Sequence, residues 1–159
     1  MKIRIMAVGK IKEPALSSLI SEYEKRIQPY SQLEIIEVND IAIPRNTSVN
    51  EENLVIEQES EKILKYIQPQ DYVVALTIEG QSYDSLTFSE EMMQMLVRGQ
   101  ATITFLIGGS LGLSPTIKKR AQKCISFSKM TFPHQLMRLF LLEQIYRAWR
   151  IIKNEPYHK

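Results

Sequence analysis

The chain has 159 residues, about one domain's length, with 44% hydrophobic and 24% charged side chains. That composition excludes long disorder, collagen and repeat arrays, and no apolar run approaches the roughly 20 residues that span a bilayer. The formal charge is only +2, but residues 1–117 hold 10 basic and 16 acidic side chains (−6) while residues 118–159 hold 10 and 2 (+8). Such asymmetry fits a polyanionic partner for the basic part, or helix ends and solvated faces that happen to be basic.

Residues 2–8 read as a strand: Ile3, Ile5 and Ala7 alternate with Lys2, Arg4 and Met6, and Gly9 ends it. Pro14 suits a first helical position, and Leu16, Leu19, Ile20, Tyr23 and Ile27 follow helical spacing up to Pro29. Residues 33–38 form a second strand, and residues 40–47 a loop. Ser48 and Glu51 make a capping box for a long helix ending near residues 67–69. Glu51, Glu52, Glu57, Glu59 and Glu61 give it an acidic, solvated face. Residues 72–78 are nearly all apolar, the pattern of a strand covered on both faces of a parallel sheet. After a loop at 79–85, Thr87 and Glu90 predict another capping box, with a helix to Gly99. Residues 101–107 form a fourth strand. A glycine-rich loop spans 108–114, and Ser114-Pro115 caps a short basic helix. Residues 124–128 form the fifth strand, 130–134 a loop, and 135–153 the last helix.

Alternating strands and helices predict one α/β domain, residues 1–159, with a mostly parallel sheet and flanking helices. Ligands of such sheets bind beyond the strands' carboxyl ends, so the loops after Ile78, Ile107 and Ser128 are the candidate site. A single cysteine, Cys124, permits no intrachain disulfide and reads as a buried thiol. The opening residues lack a signal peptide's apolar core, which makes a reducing cytoplasm the simplest compartment.

The glycine loop has three readings. It is not Gly-x-Gly-x-x-Gly and follows the fourth strand, so a dinucleotide fingerprint is weakly supported. Gly108-Gly-Ser110-Leu-Gly112 matches Gly-x-Ser-x-Gly, and Ser110, Glu143 or Glu155, and His158 have the order of a hydrolase triad. Against that, Ser114-Pro115 starts the helix four or five residues too late. The third reading is a flexible loop whose backbone approaches a ligand. No metal signature exists: His134 and His158 are the only histidines. The last helix has an apolar surface wider than one small sheet needs, which suits a second subunit. On its other faces Glu143 and Arg147 are spaced to pair, either as a surface ion pair or as a phosphate-binding unit.

Four segments, residues 107–113, 126–134, 143–149 and the terminal Pro-Tyr-His-Lys, together resemble the ribosomal RNA large subunit methyltransferase H family, of the SPOUT class. The resemblance covers the whole chain. It implies an α/β sheet with a C-terminal trefoil knot, which general topology rules do not predict. It implies a homodimer and methylation of N3 of a pseudouridine in large-subunit rRNA within the assembled ribosome. S-adenosylmethionine would be held by Leu76, Gly108, Phe127, Ser128, Lys129, Met130, Thr131 and Phe132. Glu143, Arg147, Tyr157 and His158 would be the functional polar residues, with His158 and Glu143 as alternative bases. Arg147, Arg138 and residues 118–123 would hold phosphates. Two positions depart from the family pattern: Thr77 stands where an acidic residue is usual, and Leu111 where a polar one is common. A non-catalytic RNA-binding ribosome factor is the alternative function, and the hydrolase using Ser110 a further one.

Overall fold

The computed structural model describes residues 1–98 and 102–159. Strands β1 (Lys2–Val8), β2 (Gln32–Val38), β3 (Tyr72–Ser82), β4 (Thr102–Ile107) and β5 (Lys123–Ser126) alternate with helices. The helices are α1 (Pro14–Ile27), α2 (Val49–Leu64), α3 (Ser85–Val97), α4 (Pro115–Arg120) and α5 (His134–Ile152). The sheet runs β2-β1-β4-β3-β5, and every pairing is parallel. The expected end of the third helix at Gly99 and start of the fourth strand at Ala101 lie outside the described residues.

A parallel sheet must be covered on both faces, and the alternation along β1 shows how. Ile3, Ile5 and Ala7 enter a core with Leu16 and Ile20 of α1, Phe88 and Met92 of α3, and Leu141, Leu142 and Ile145 of α5. Met6 and Val8 point the other way, against Ile63 of α2 and Ile117 of α4. Arg4 shares that second face and is held by Glu34 (2.7 Å) and the buried Asp71 (2.9 Å). The wide apolar surface of α5 is thus used largely inside the chain, and Phe140 is its exposed large hydrophobic residue.

The caps at Ser48 and Ser114 form as the sequence predicts. Each serine oxygen accepts the amide three residues on, at 3.3 Å from Glu51 and 3.2 Å from Ile117. The cap expected at Thr87 lies earlier. Asp84 Oδ1 accepts the Thr87 amide at 2.7 Å, so Asp84 is the N-cap and Thr87 is inside the helix. β3 extends to Ser82, because a second stretch of it pairs with β5 beyond a break in register. β5 stops at Ser126, where the chain turns. Ser126 Oγ donates to the Ser128 carbonyl (3.0 Å), and Ser128 Oγ accepts the Met130 amide (2.9 Å).

The acidic face of α2 is not wholly solvated. Glu59 is 6% exposed, and its Oε1 accepts the Ile41 amide at 3.1 Å. Burial pushes its carboxyl above the usual range, and the Ile41 bond opposes that only in part. A carboxyl that titrates higher when folded makes stability fall as pH rises through that interval. Glu59→Gln keeps an oxygen for Ile41 and removes the buried charge. The variant should therefore be more stable at pH 8, by on the order of 1 kcal/mol, with the gap closing toward pH 4. Equal urea midpoints at pH 8 would refute this.

Candidate active site

The carboxyl ends of β3, β4 and β5 open into a cleft of about 610 Å³. Three backbone features build it. First, Leu76 and Gln81 both pair with Ile125, so residues 77–80 bulge from the sheet, and Thr77, Ile78 and Glu79 line the cleft. A Cβ on Gly80 would lie 2.6 Å from the Ile125 carbonyl carbon, so only glycine lets β5 approach this closely. Second, the loop after β4 folds back on itself. The Gly112 amide donates to the Gly109 carbonyl at 3.0 Å, with Gly112 at φ +83°. A Cβ on Gly108 would sit 2.5 Å from Gly112 C. Third, the turn after β5 leads through residues 130–133 into α5, whose His134 and Met137 complete the wall.

Of the residues that the resemblance implies for the cofactor, Leu76, Gly108, Phe127, Ser128, Met130, Thr131 and Phe132 line this cleft. Lys129 does not: its side chain is exposed and is not part of the lining. The sequence reading missed the lining residues Ile78, Glu79 and His134. Thr77, noted only as a departure, lines the cleft with a buried hydroxyl that has no partner among the described residues.

Glu143, Arg147, Tyr157 and His158 come together in one network. Arg147 Nη2 and Nε donate to Glu143 Oε1 at 2.7 and 3.1 Å. The same oxygen accepts the Tyr157 hydroxyl at 3.2 Å, and Gln144 donates to Oε2 at 2.8 Å. The guanidinium lies 4.7 Å from the Tyr157 ring centroid, and Arg147 Nη1 meets His158 Nδ1 at 3.2 Å. A guanidinium only donates, so Nδ1 must accept, and in the neutral ring the proton then sits on Nε2.

The tail is held, not frayed. Asn154 turns at φ +54°, the Glu155 amide donates to the Arg150 carbonyl (2.8 Å), and Arg150 Nη2 donates to the Pro156 carbonyl (3.0 Å). Burial, then its bond with Tyr23 and the Glu143 charge, pushes the Tyr157 phenol up to about 12.

This network does not line the cleft. Glu143 borders a second hollow of about 600 Å³ between the start of α3 and α5, which shares Phe127, Ser128 and Phe132 with the cleft. Along α5, Glu143 is roughly 13 Å from His134 at ~1.5 Å per residue.

Several expected phosphate ligands are engaged elsewhere. Arg138 is 2% exposed, paired with Glu37 (2.6 Å) and donating to the Gly9 carbonyl (3.0 Å), so it cannot meet an RNA phosphate. Lys118 pairs with Glu79 and Lys123 with Glu91, and Arg120 donates to the carbonyls of Gln68, Pro69 and Asp71. The hydrolase triad is not formed: His158 lies against Arg147, and Glu155 is taken by Arg150 and Tyr30. Among the described residues no group of three His, Cys, Asp or Glu side chains could hold a metal, and no helix is long and apolar enough to cross a membrane.

A wholly parallel sheet with a loop-lined cleft beyond its strand ends places the chain in the class of α/β proteins whose ligand sites lie at the strands' carboxyl edge. The chain belongs to the SPOUT methyltransferase family, for residues 1–158 match the family model described as "Predicted SPOUT methyltransferase". It is 52% identical to the "Ribosomal RNA large subunit methyltransferase H" of Clostridium botulinum and 48% identical to that of Streptococcus thermophilus. Each likeness covers 100% of both chains. A solved tRNA (m1G37) methyltransferase from Aquifex aeolicus shares the fold, with a TM-score of 0.58 at 15% identity over 100% of this chain and 75% of that one. The architecture is thus the α/β fold with a C-terminal knot. The cleft suits a methyl-donor nucleoside: apolar side chains for a base, close backbone, and the unpartnered Thr77 hydroxyl.

The raised Tyr157 value carries a pH consequence. A phenol that titrates near 10 when unfolded and about 12 when folded supplies stability that is present below pH 10 and lost as pH rises toward 12. Tyr157→Phe should flatten the decline in unfolding free energy between pH 9.5 and about 11.5. Parallel declines in urea titrations of the two proteins would show that Tyr157 is not the group responsible.

Proposed function

We propose that this protein transfers a methyl group from S-adenosylmethionine to N3 of a pseudouridine in large-subunit ribosomal RNA, acting in the cytoplasm as a homodimer on the assembled ribosome. The observation that carries the reading is the end-to-end likeness, at equal length, to relatives named as large-subunit rRNA methyltransferases. The tail network supports it, since it gives the last residues a built arrangement beyond the sheet.

The donor supplies an activated methyl on a sulfonium, so the protein's task is alignment. Leu76, Phe127, Met130 and Phe132 would pack the nucleoside, with backbone groups of the loop at Gly108 and of the turn at Ser128 taking its polar edges. Glu143 is an unsuitable base, because at least three donors saturate its oxygens. His158, with Nδ1 accepting from Arg147, would offer Nε2–H as a donor to a ring carbonyl of the acceptor base. The N3 proton would then leave to solvent from a uracil ring polarised by that donor.

The offset between the network and the cleft supports the homodimer. The network lies along α5 away from its own cleft, so a second copy would bring its tail over this cleft. Met130, Phe132 and Phe140, exposed beside the two hollows, form the apolar surface such a copy would cover.

The direct test is transfer of labelled methyl to ribosomes from cells lacking this protein, comparing assembled ribosomes with free large subunits. Label at a pseudouridine of large-subunit rRNA, on assembled ribosomes only, is expected. Donor binding without label on either particle would mean another acceptor, and neither binding nor label would favour a non-catalytic RNA-binding factor. Deleting residues 157–159 should leave a folded dimer whose methylation falls ~100-fold or more. Full turnover by the truncated protein would remove the tail from the mechanism. Ser110→Ala should retain activity, since Ser110 is exposed at the loop tip and only a hydrolase needs its hydroxyl.

A further inference from the structure

The charge count overstates the free cations of the basic part and hides others. Of residues 118–159, Lys118, Arg120 and Lys123 are tied to partners inside the chain, while Lys119, Lys129, Lys153 and Lys159 are exposed and in no ion pair among the described residues. In the acidic part of the sequence Lys10 and Lys12 are likewise exposed, and neither takes part in an ion pair among the described residues.

Both sit on the loop joining β1 to α1, at the sheet's carboxyl edge, the edge on which the cleft opens. The loop is anchored from below. Arg138 donates to the Gly9 carbonyl at 3.0 Å, and the Glu37 carboxylate that pairs with Arg138 accepts the Ile11 amide at 3.0 Å. The Ile11 side chain packs against the core. Gly9, at φ +89°, lies beside the cleft-lining His134: a Cβ there would be 3.5 Å from His134 Nε2. Gln135 on α5 donates to the Lys10 carbonyl at 3.4 Å. The backbone on either side of Ile11 is therefore fixed to the first turns of α5, while both ammonium groups face solvent. The loop's own carboxylate, Glu13, is exposed and enters no ion pair among the described residues.

We propose that this loop is a phosphate-binding rim of the cleft, with Lys10 and Lys12 each receiving a backbone phosphate of the RNA strand that carries the acceptor base. The identity of that RNA rests on the rRNA reading; the rim itself does not. A base delivered into the cleft brings its flanking phosphates across the sheet's carboxyl edge, and this loop is an anchored segment there that carries two exposed cations. Arg138, although it touches no RNA, is a positioning residue that fixes the height of the loop.

The test compares wild type with the double variant Lys10→Gln/Lys12→Gln. Retention of ribosomes and of isolated large-subunit rRNA on filters is measured across a salt series, beside calorimetric S-adenosylmethionine binding and thermal unfolding. Affinity for RNA should fall about tenfold at low salt, and the slope of log K against log salt should flatten by about 1.4, two contacts at ~0.7 each. Donor binding and the melting temperature should not move, and Lys10→Arg/Lys12→Arg should restore both affinity and slope. Unchanged affinity and slope in the glutamine variant would overturn the rim, as would a loss that arginine fails to restore. A wild type that binds RNA with the expected slope but methylates none would remove the proposed reaction and leave the rim standing.

Discussion

The site depends on how closely β5 is pressed against β3. Parallel strands pair evenly, yet here one residue of β5, Ile125, faces both Leu76 and Gln81. The four residues between are forced out of the sheet, and the only place for them is the carboxyl edge. This single irregularity makes one wall of the cleft and fixes where the chain emerges from β5. Gly80 is what permits it, because any side chain would collide with the Cys124 and Ile125 backbone. The glycine turn after β4 supplies the facing wall by the same means, with Gly108 pressed on Gly112. The cleft is therefore shaped by backbone contacts, and its lining tolerates departures such as Thr77 and Leu111 more readily than it would tolerate a Cβ at Gly80 or Gly108.

Much of this was legible from residues near one another in sequence. The apolar runs of β3 and β4 announced a doubly covered parallel sheet, and that alone located the loops worth examining. Ser48 and Ser114 announced their caps because a cap is satisfied within three residues. The positions expected to hold the cofactor and the polar network came instead from family resemblance; the structure gathers the former, Lys129 apart, at one cleft and the latter in a separate network along α5. What stayed hidden was set by partners far along the chain. The bulge at residues 77–80 needs β5, which comes about forty residues later. Glu59 looked like one of a row of solvated carboxylates, since nothing local tells that Ile41 and the glycine loop will cover it. Arg138 looked like a phosphate ligand because its partner, Glu37, is 101 residues away.

The distribution of charge illustrates the same limit. A local excess of +8 in the last third suggested a polyanion there, but a count assigns every cation to the outside. In the fold, Arg138 is buried, Arg147 is committed to Glu143, and Arg150 is committed to Glu155 and the tail. Paired cations of this kind organise the protein more than they attract a distant anion. The field outside is then set by the unpaired ammonium groups, among them Lys119, Lys129, Lys153 and Lys159 in the basic part and Lys10 and Lys12 in the nominally acidic part.

The polar network is built around one carboxylate. Glu143 accepts from Arg147, Tyr157 and Gln144, and Arg147 in turn donates to His158. Three donors end on the Glu143 carboxylate, Arg147 donates outward to His158 Nδ1 as well, and the free end is the imidazole Nε2–H. Such an array is suited to steadying electron density on an acceptor oxygen, not to withdrawing a proton. For the proposed methylation this matters, because a uracil-type N3 gains nucleophilicity as its proton becomes easier to lose. A donor aimed at a neighbouring ring carbonyl favours that loss without a dedicated base. The network's place along α5, outside its own cleft, then ties the chemistry to assembly, since in the proposed homodimer the donor array and the methyl come together only where two copies meet.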